Sequence, residues 1–171
     1  LGTITNTANN GELKINVSGT SPTVTTTTLA SALTNGLLGA RGAVTFTDAG
    51  GVTSFATLTT SNANNAISGL TIGTTLIGSG SVATTNYILN GADLAVTASE
   101  SINALQLNNA SGSLKTLTVN SGQTLTVTSG GLLSTGADPY LIAGPGTLKS
   151  NVATASDLIV HNFGTGGLEI N

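Results

Sequence analysis

The stretch Leu117-Thr-Val-Asn-Ser-Gly-Gln-Thr-Leu-Thr-Val-Thr-Ser-Gly-Gly-Leu-Leu133 decides how this chain reads. It holds two apolar-Thr-apolar triplets, Leu117-Thr118-Val119 and Leu125-Thr126-Val127, closed by Asn120-Ser121-Gly122 and Ser129-Gly130-Gly131. Side chains alternate across a strand, so Leu and Val of each triplet face one way and Thr the other. Asn and Gly supply the positive-φ positions that β-branched residues resist. Strands this short cannot stand as free hairpins, and the gaps between them leave no room for helices.

The same alternation recurs at Leu13-Lys14-Ile15-Asn16-Val17, Val44-Thr45-Phe46, Leu70-Thr71-Ile72, Leu105-Gln106-Leu107 and Leu168-Glu169-Ile170. Asn10-Gly11, Asn90-Gly91 and Gly164-Thr165-Gly166-Gly167 repeat the turn chemistry. Strand centres at Gln106, Thr118, Thr126, Leu133 and Ile142 follow at 12, 8, 7 and 9 residues. Thr (31), Gly (23), Ser (17) and Asn (17) fill 88 of 171 positions, and aromatics are 3%. The core is therefore aliphatic and thin, which suits a stacked repeat better than a globule. The spacing predicts an all-β fold, a right-handed parallel β-helix (solenoid), with a β-sandwich as the alternative. The residues expected to fill the inward stack are Val96, Leu105, Leu107, Leu117, Val119, Leu125, Val127, Ile142, Leu158, Val160, Leu168 and Ile170.

One repeat domain is expected over residues 1–171, as a fragment of a longer chain. Residues 23–38 depart from the pattern. Leu29, Leu33 and Leu37 stand at helical spacing behind Thr28, so a short helical excursion or cap is expected there. Asp138-Pro139-Tyr140 and Gly144-Pro145-Gly146 should lie at corners, because proline cannot donate to a strand ladder.

On the residues of Leu117 to Leu133, and again at Asp157-Leu-Ile-Val-His-Asn-Phe-Gly-Thr-Gly-Gly-Leu-Glu-Ile-Asn171, the chain resembles bacterial autotransporter-type passenger proteins with autotransporter-associated β-strand repeats. The resemblance runs from about Asp93 to Asn171 and is compositional before that. It implies a secreted right-handed β-helical stalk on the outer cell surface, serving adhesion, matrix or envelope coating. The membrane barrel of that family has no counterpart in these residues.

Chemistry-bearing residues are few. Four Lys or Arg, seven Asp or Glu, one His and no Cys give a net charge of −3. The scattered cations Lys14, Arg41, Lys115 and Lys149 cannot neutralise a run of phosphates, which argues against a nucleic-acid partner. No segment approaches the roughly 20 apolar residues of a membrane-spanning helix. Any triad or metal site must use His161. Asp157, four residues away, would lie about 13 Å off along a strand rising roughly 3.3 Å per residue. His161 is expected to be solvent-exposed. Asp93, Glu100 and Asp138 are the acids that stacking could bring together for polysaccharide chemistry. Thr45-Phe46-Thr47, Thr57-Leu58-Thr59, Thr116-Leu117-Thr118 and Thr124-Leu125-Thr126 could order water if aligned on one face. Tyr87 and Tyr140 are candidate sugar platforms or core-edge residues with wet hydroxyls.

The expected function is a structural module of a secreted bacterial cell-surface protein: a stalk, adhesin or coat. It is expected to have no catalytic, cofactor-binding or metal residues. The alternatives are a self-assembling fibre or lattice subunit, an ice-binding solenoid and a polysaccharide-processing β-helix enzyme. Expected partners are flanking repeats or copies of the same chain, and host-surface or matrix polysaccharide. Replacing Leu117 or Leu125 with Asp should abolish the cooperative melt and the β-sheet circular dichroism, because it buries an unpaired charge; an unchanged melting temperature would place that residue outside the stack.

Overall fold

The computed structural model describes residues 12–19, 23–27, 33–39, 42–59, 65–151 and 157–171. The structure is all-β, and no α-helix occurs among the described residues. Where a single repeat domain is expected, the chain divides into two compact units, Leu1–Thr71 and Ile72–Asn171.

The first unit holds a five-stranded mixed sheet, with β1 (Leu13–Asn16), β2 (Val24–Thr26), β3 (Val44–Thr47), β4 (Thr53–Thr59) and β5 (Asn65–Gly69) in the order β1-β3-β4-β5-β2. Only β1 and β3 pair in parallel; β3-β4, β4-β5 and β2-β5 are antiparallel. Parallel stacking therefore does not extend over the whole chain. Local turn chemistry gives the reason. Asp48 Oδ1 accepts the N–H groups of Gly50 and Val52, both at 2.9 Å, and Gly51 takes φ +83°, so β3 turns back on itself into β4. Ile15, Leu38, Val44, Phe46, Ala56, Leu58 and Ile67 form this unit's core. In the segment expected to be helical, Val24–Thr26 is strand β2, and Asn35-Gly36 forms a tight turn between Thr34 and Leu37. Residues 28–32, including the expected N-cap Thr28, lie outside the described residues. Leu70-Thr71-Ile72 forms no strand; the boundary between the units falls within it.

The second unit deals its strands in rotation to three parallel sheets. β6 (Tyr87–Asn90), β9 (Leu105–Asn108), β12 (Gly131–Thr135) and β15 (Ile159–Asn162) form the first. β7 (Leu94–Val96), β10 (Lys115–Val119), β13 (Tyr140–Ala143) and β16 (Leu168–Ile170) form the second. β8 (Glu100–Ile102), β11 (Thr124–Val127) and β14 (Thr147–Ser150) form the third. Each strand thus pairs with the one three places along, and like residues align. Leu94, Leu117, Ile142 and Ile170 make one column; Tyr87, Leu105, Leu132 and Val160 make another.

Of the expected stack, Val96, Leu105, Leu107, Leu117, Val119, Leu125, Val127 and Ile142 are buried in one cluster, with Leu158 and Leu168 partly buried against it. Val160 and Ile170 occupy inward columns but are 45% and 46% exposed, because β15 and β16 are the outermost strands of their sheets. Tyr87, Leu89, Ile102, Leu132 and Tyr140 also belong to the core.

The corners are fastened as tightly as the strands. Asn109, fully buried between β9 and β10, donates through Nδ2 to the Ser113 and Pro139 carbonyls at 2.9 and 2.7 Å. Its Oδ1 accepts the Ser111 N–H and hydroxyl. One coil on, Gly136 sits at φ +96°, where a Cβ would collide with the Asn109 backbone. Gly136→Ala should therefore cost roughly 2–4 kcal/mol, read as a lower urea midpoint at unchanged m-value; a cost under about 0.5 kcal/mol would mean that the corner is loosely stacked.

Candidate functional site

The outer face of the third sheet carries a polar groove. It holds about 490 Å³ and is lined by Glu100, Ser101, Thr124, Thr126 and Lys149 from the sheet, by Ser99 just before β8, and by Gly80, Ser81 and Ala83 from the chain before β6. Strand register explains the sheet side. Ser101, Thr126 and Lys149 are partners on β8, β11 and β14, so their side chains leave on the same face. Ser99 is held in place by accepting the Thr124 N–H at 3.0 Å while donating to Gln123 Oε1.

Glu100 breaks the pattern. It partners Leu125, an inward position with no exposure, and is itself only 7% exposed. Its Oε2 accepts the Ser81 N–H at 3.3 Å. Glu100 Oε1 and Ser81 Oγ are both buried and have no hydrogen-bond partner among the described residues. The sequence signal was an acid in the inward slot of Glu100-Ser101-Ile102, where the neighbouring triplet Leu125-Thr126-Val127 carries Leu.

Other sequence candidates are dispersed. Asp93 accepts the Thr116 N–H at 2.7 Å and lies 3.9 Å from Lys115 Nζ. Asp138 accepts the Gly112 N–H at 2.6 Å. Asp93, Glu100 and Asp138 thus serve three different partners, and no group of three His, Cys, Asp or Glu suited to a metal occurs among the described residues. The groove's single carboxyl cannot supply the acid pair of a typical glycosidase. Another hollow of about 300 Å³ is lined by Asp93, Leu94, Ala95, Thr116 and Thr118.

His161, expected to be exposed, is only 2% exposed; it partners Leu133 on the outward register of the first sheet, a position that is fully buried. The Thr-x-Thr motifs do not align. Thr116 and Thr118 lie on β10 of the second sheet, Thr124 and Thr126 on β11 of the third, and the other two motifs lie in the first unit.

Neither tyrosine is a platform. Both rings are in the core, and both hydroxyls bind backbone. The Tyr87 hydroxyl accepts the Val82 N–H at 2.9 Å. The Tyr140 hydroxyl donates to the Ala92 carbonyl at 2.7 Å and accepts the Ala92 N–H at 3.3 Å, tying β13 to the corner before β7. Burial raises the Tyr140 pKa above its ordinary value, opposed by the hydrogen bond to Ala92 and assisted by the charge of Asp93.

No family model matches the chain, and neither the curated proteins nor the solved structures contain a significant match.

The raised folded-state pKa of Tyr140 means that the native state keeps its proton longer than the unfolded chain does. Its contribution is complete below the unfolded value of about 10 and is lost as pH rises through the higher folded value. Tyr140→Phe should cost about 1 kcal/mol at neutral pH and flatten the loss of stability above about pH 10; an unaltered alkaline melting profile would remove Tyr140 from this linkage.

Proposed function

We propose that residues 72–171 form a right-handed parallel β-helix acting as a structural module of a secreted bacterial cell-surface protein, a stalk, adhesin or coat. The carrying observation is the in-register rotation of strands through three parallel sheets, with Leu117 and Leu125 each stacked between partners one coil before and one coil after. Such a scaffold works mechanically: each coil hydrogen-bonds to its neighbours, and the stack gains stability with each added coil. A surface rich in hydroxyls and amides and poor in charge supports an exposed setting, since few of its contacts are screened by salt. The resemblance of Leu117 to Leu133 to autotransporter-associated repeats supports the same class. On this reading the partners are flanking repeats or copies of the same chain, and matrix polysaccharide.

Immunogold electron microscopy of intact producing cells, with antibody raised against residues 72–171, tests the location. Gold should decorate the outer surface without permeabilisation. Labelling that appears only after permeabilisation would overturn the surface reading.

A further inference from the structure

We propose that residues 74–85 are a strap that closes one end of the parallel stack and opens ahead of it, and that Glu100 sets how readily it opens. β6, β7 and β8 are end strands of the three sheets. The strap meets each sheet in turn. Thr75 bridges Ile88 of β6 in parallel: the Leu76 N–H donates to the Ile88 carbonyl and the Ile88 N–H to the Thr74 carbonyl, both at 2.9 Å. The Gly78 carbonyl accepts the N–H of Thr97, just past β7, at 2.9 Å, and the Ser81 N–H donates to Glu100 of β8. The Val82 N–H then donates to the Tyr87 hydroxyl, and the Thr128 hydroxyl donates to the Ala83 carbonyl. An end strand with free backbone groups is a template for another chain, and the closed strap occupies those groups on β6.

Polar bonds hold the strap, with little apolar burial beneath it. Leu76 is the one strap residue in the core cluster, whereas Ile77 and Val82 are 64% and 54% exposed. A segment with few buried apolar contacts opens at a lower free energy than the stack it covers. Glu100 lowers that free energy further. It stands, buried, in the column of Leu125 and Leu148, and its bond to the strap is long, at 3.3 Å. Glu100 Oε1 and Ser81 Oγ are enclosed with no hydrogen-bond partner among the described residues. Closing the strap therefore shuts two polar atoms away from water, and opening it returns them to water. Glu100→Leu continues the leucine column and gives up one long hydrogen bond.

This inference rests on the parallel stack alone and is independent of where the protein resides. Native-state amide hydrogen exchange on the full chain tests it. The Ile88 and Thr97 amides, which bond across to the strap, should be protected about tenfold less than the Leu117 and Leu125 amides inside the stack. Leu76→Ala should lower the Ile88 and Thr97 protection by roughly another tenfold and leave Leu117 and Leu125 as they are. Glu100→Leu should raise the Ile88 and Thr97 protection about tenfold. Equal protection of strap and stack amides, a loss in Leu76→Ala shared equally by Leu117 and Leu125, or no gain at Ile88 and Thr97 in Glu100→Leu would each overturn the proposal.

Discussion

The second unit depends on one constraint: a residue in an inward slot must lie over the same slot one coil away. Parallel pairing imposes this, because the ladder runs in register and side chains alternate. Once Leu117 is set between Leu94 and Ile142, a one-residue slip in β10 would send Leu117 and Val119 outward and Thr116 and Thr118 inward. The strands cannot absorb variation in coil length. The corners must. Asn90 and Asn108, hydrogen-bonded across one step of the first sheet, are 18 residues apart; Asn108 and Thr135, bonded across the next, are 27 apart. The added chain between β9 and β12 includes the corner that Asn109 organises, which is why that residue is buried with its amide hydrogen-bonded on both sides.

The scarce charges follow the same logic. Asp93 on one coil holds the Thr116 N–H of the next, and Asp138 holds the Gly112 N–H of a neighbouring corner. A carboxylate that accepts a backbone N–H from the adjacent coil fastens the stack where the strand ladder is interrupted. Glu100 uses the same bond, to Ser81, but from an inward slot, and this leaves its second oxygen without a partner. The difference between Glu100 and the two corner aspartates is one of position. An acid on a corner keeps its free oxygen near water, whereas an acid in a leucine column does not.

Much of the second unit was legible because its columns repeat a simple pattern. Leu105, Leu107, Leu117, Val119, Leu125 and Val127 were readable from alternation alone, since each sits in a triplet closed by turn residues. Tyr87 and Tyr140 were not, because their neighbours read as loop and nothing in a sequence announces that a hydroxyl will meet the Val82 or Ala92 backbone. His161 and Leu133 defeated alternation for another reason. They occupy the outward register of the first sheet, yet that face is buried there, and period-2 reasoning identifies a face without saying what lies against it. The groove was not legible: the sequence offers Glu100 only as one of three acids that stacking could bring together, and its actual partner Ser81 is remote in sequence and meets it only through the fold.

Both units are rich in Thr, Ser, Asn and Gly and yet differ in fold, so that richness does not choose between them. Turn geometry does. In the first unit Asn35 and Gly36 take positive φ in succession, at +50° and +83°, and the chain reverses between Thr34 and Leu37. Asp48 accepts two N–H groups across a four-residue turn and reverses β3 into β4. In the second unit the positive-φ residues are single glycines, among them Gly91, Gly112, Gly122, Gly130, Gly136 and Gly144. There the chain leaving one strand enters a different sheet instead of folding back on its neighbour. Repeated through the unit, that rotation brings each strand alongside the third one along, running the same way, and the two pair in parallel.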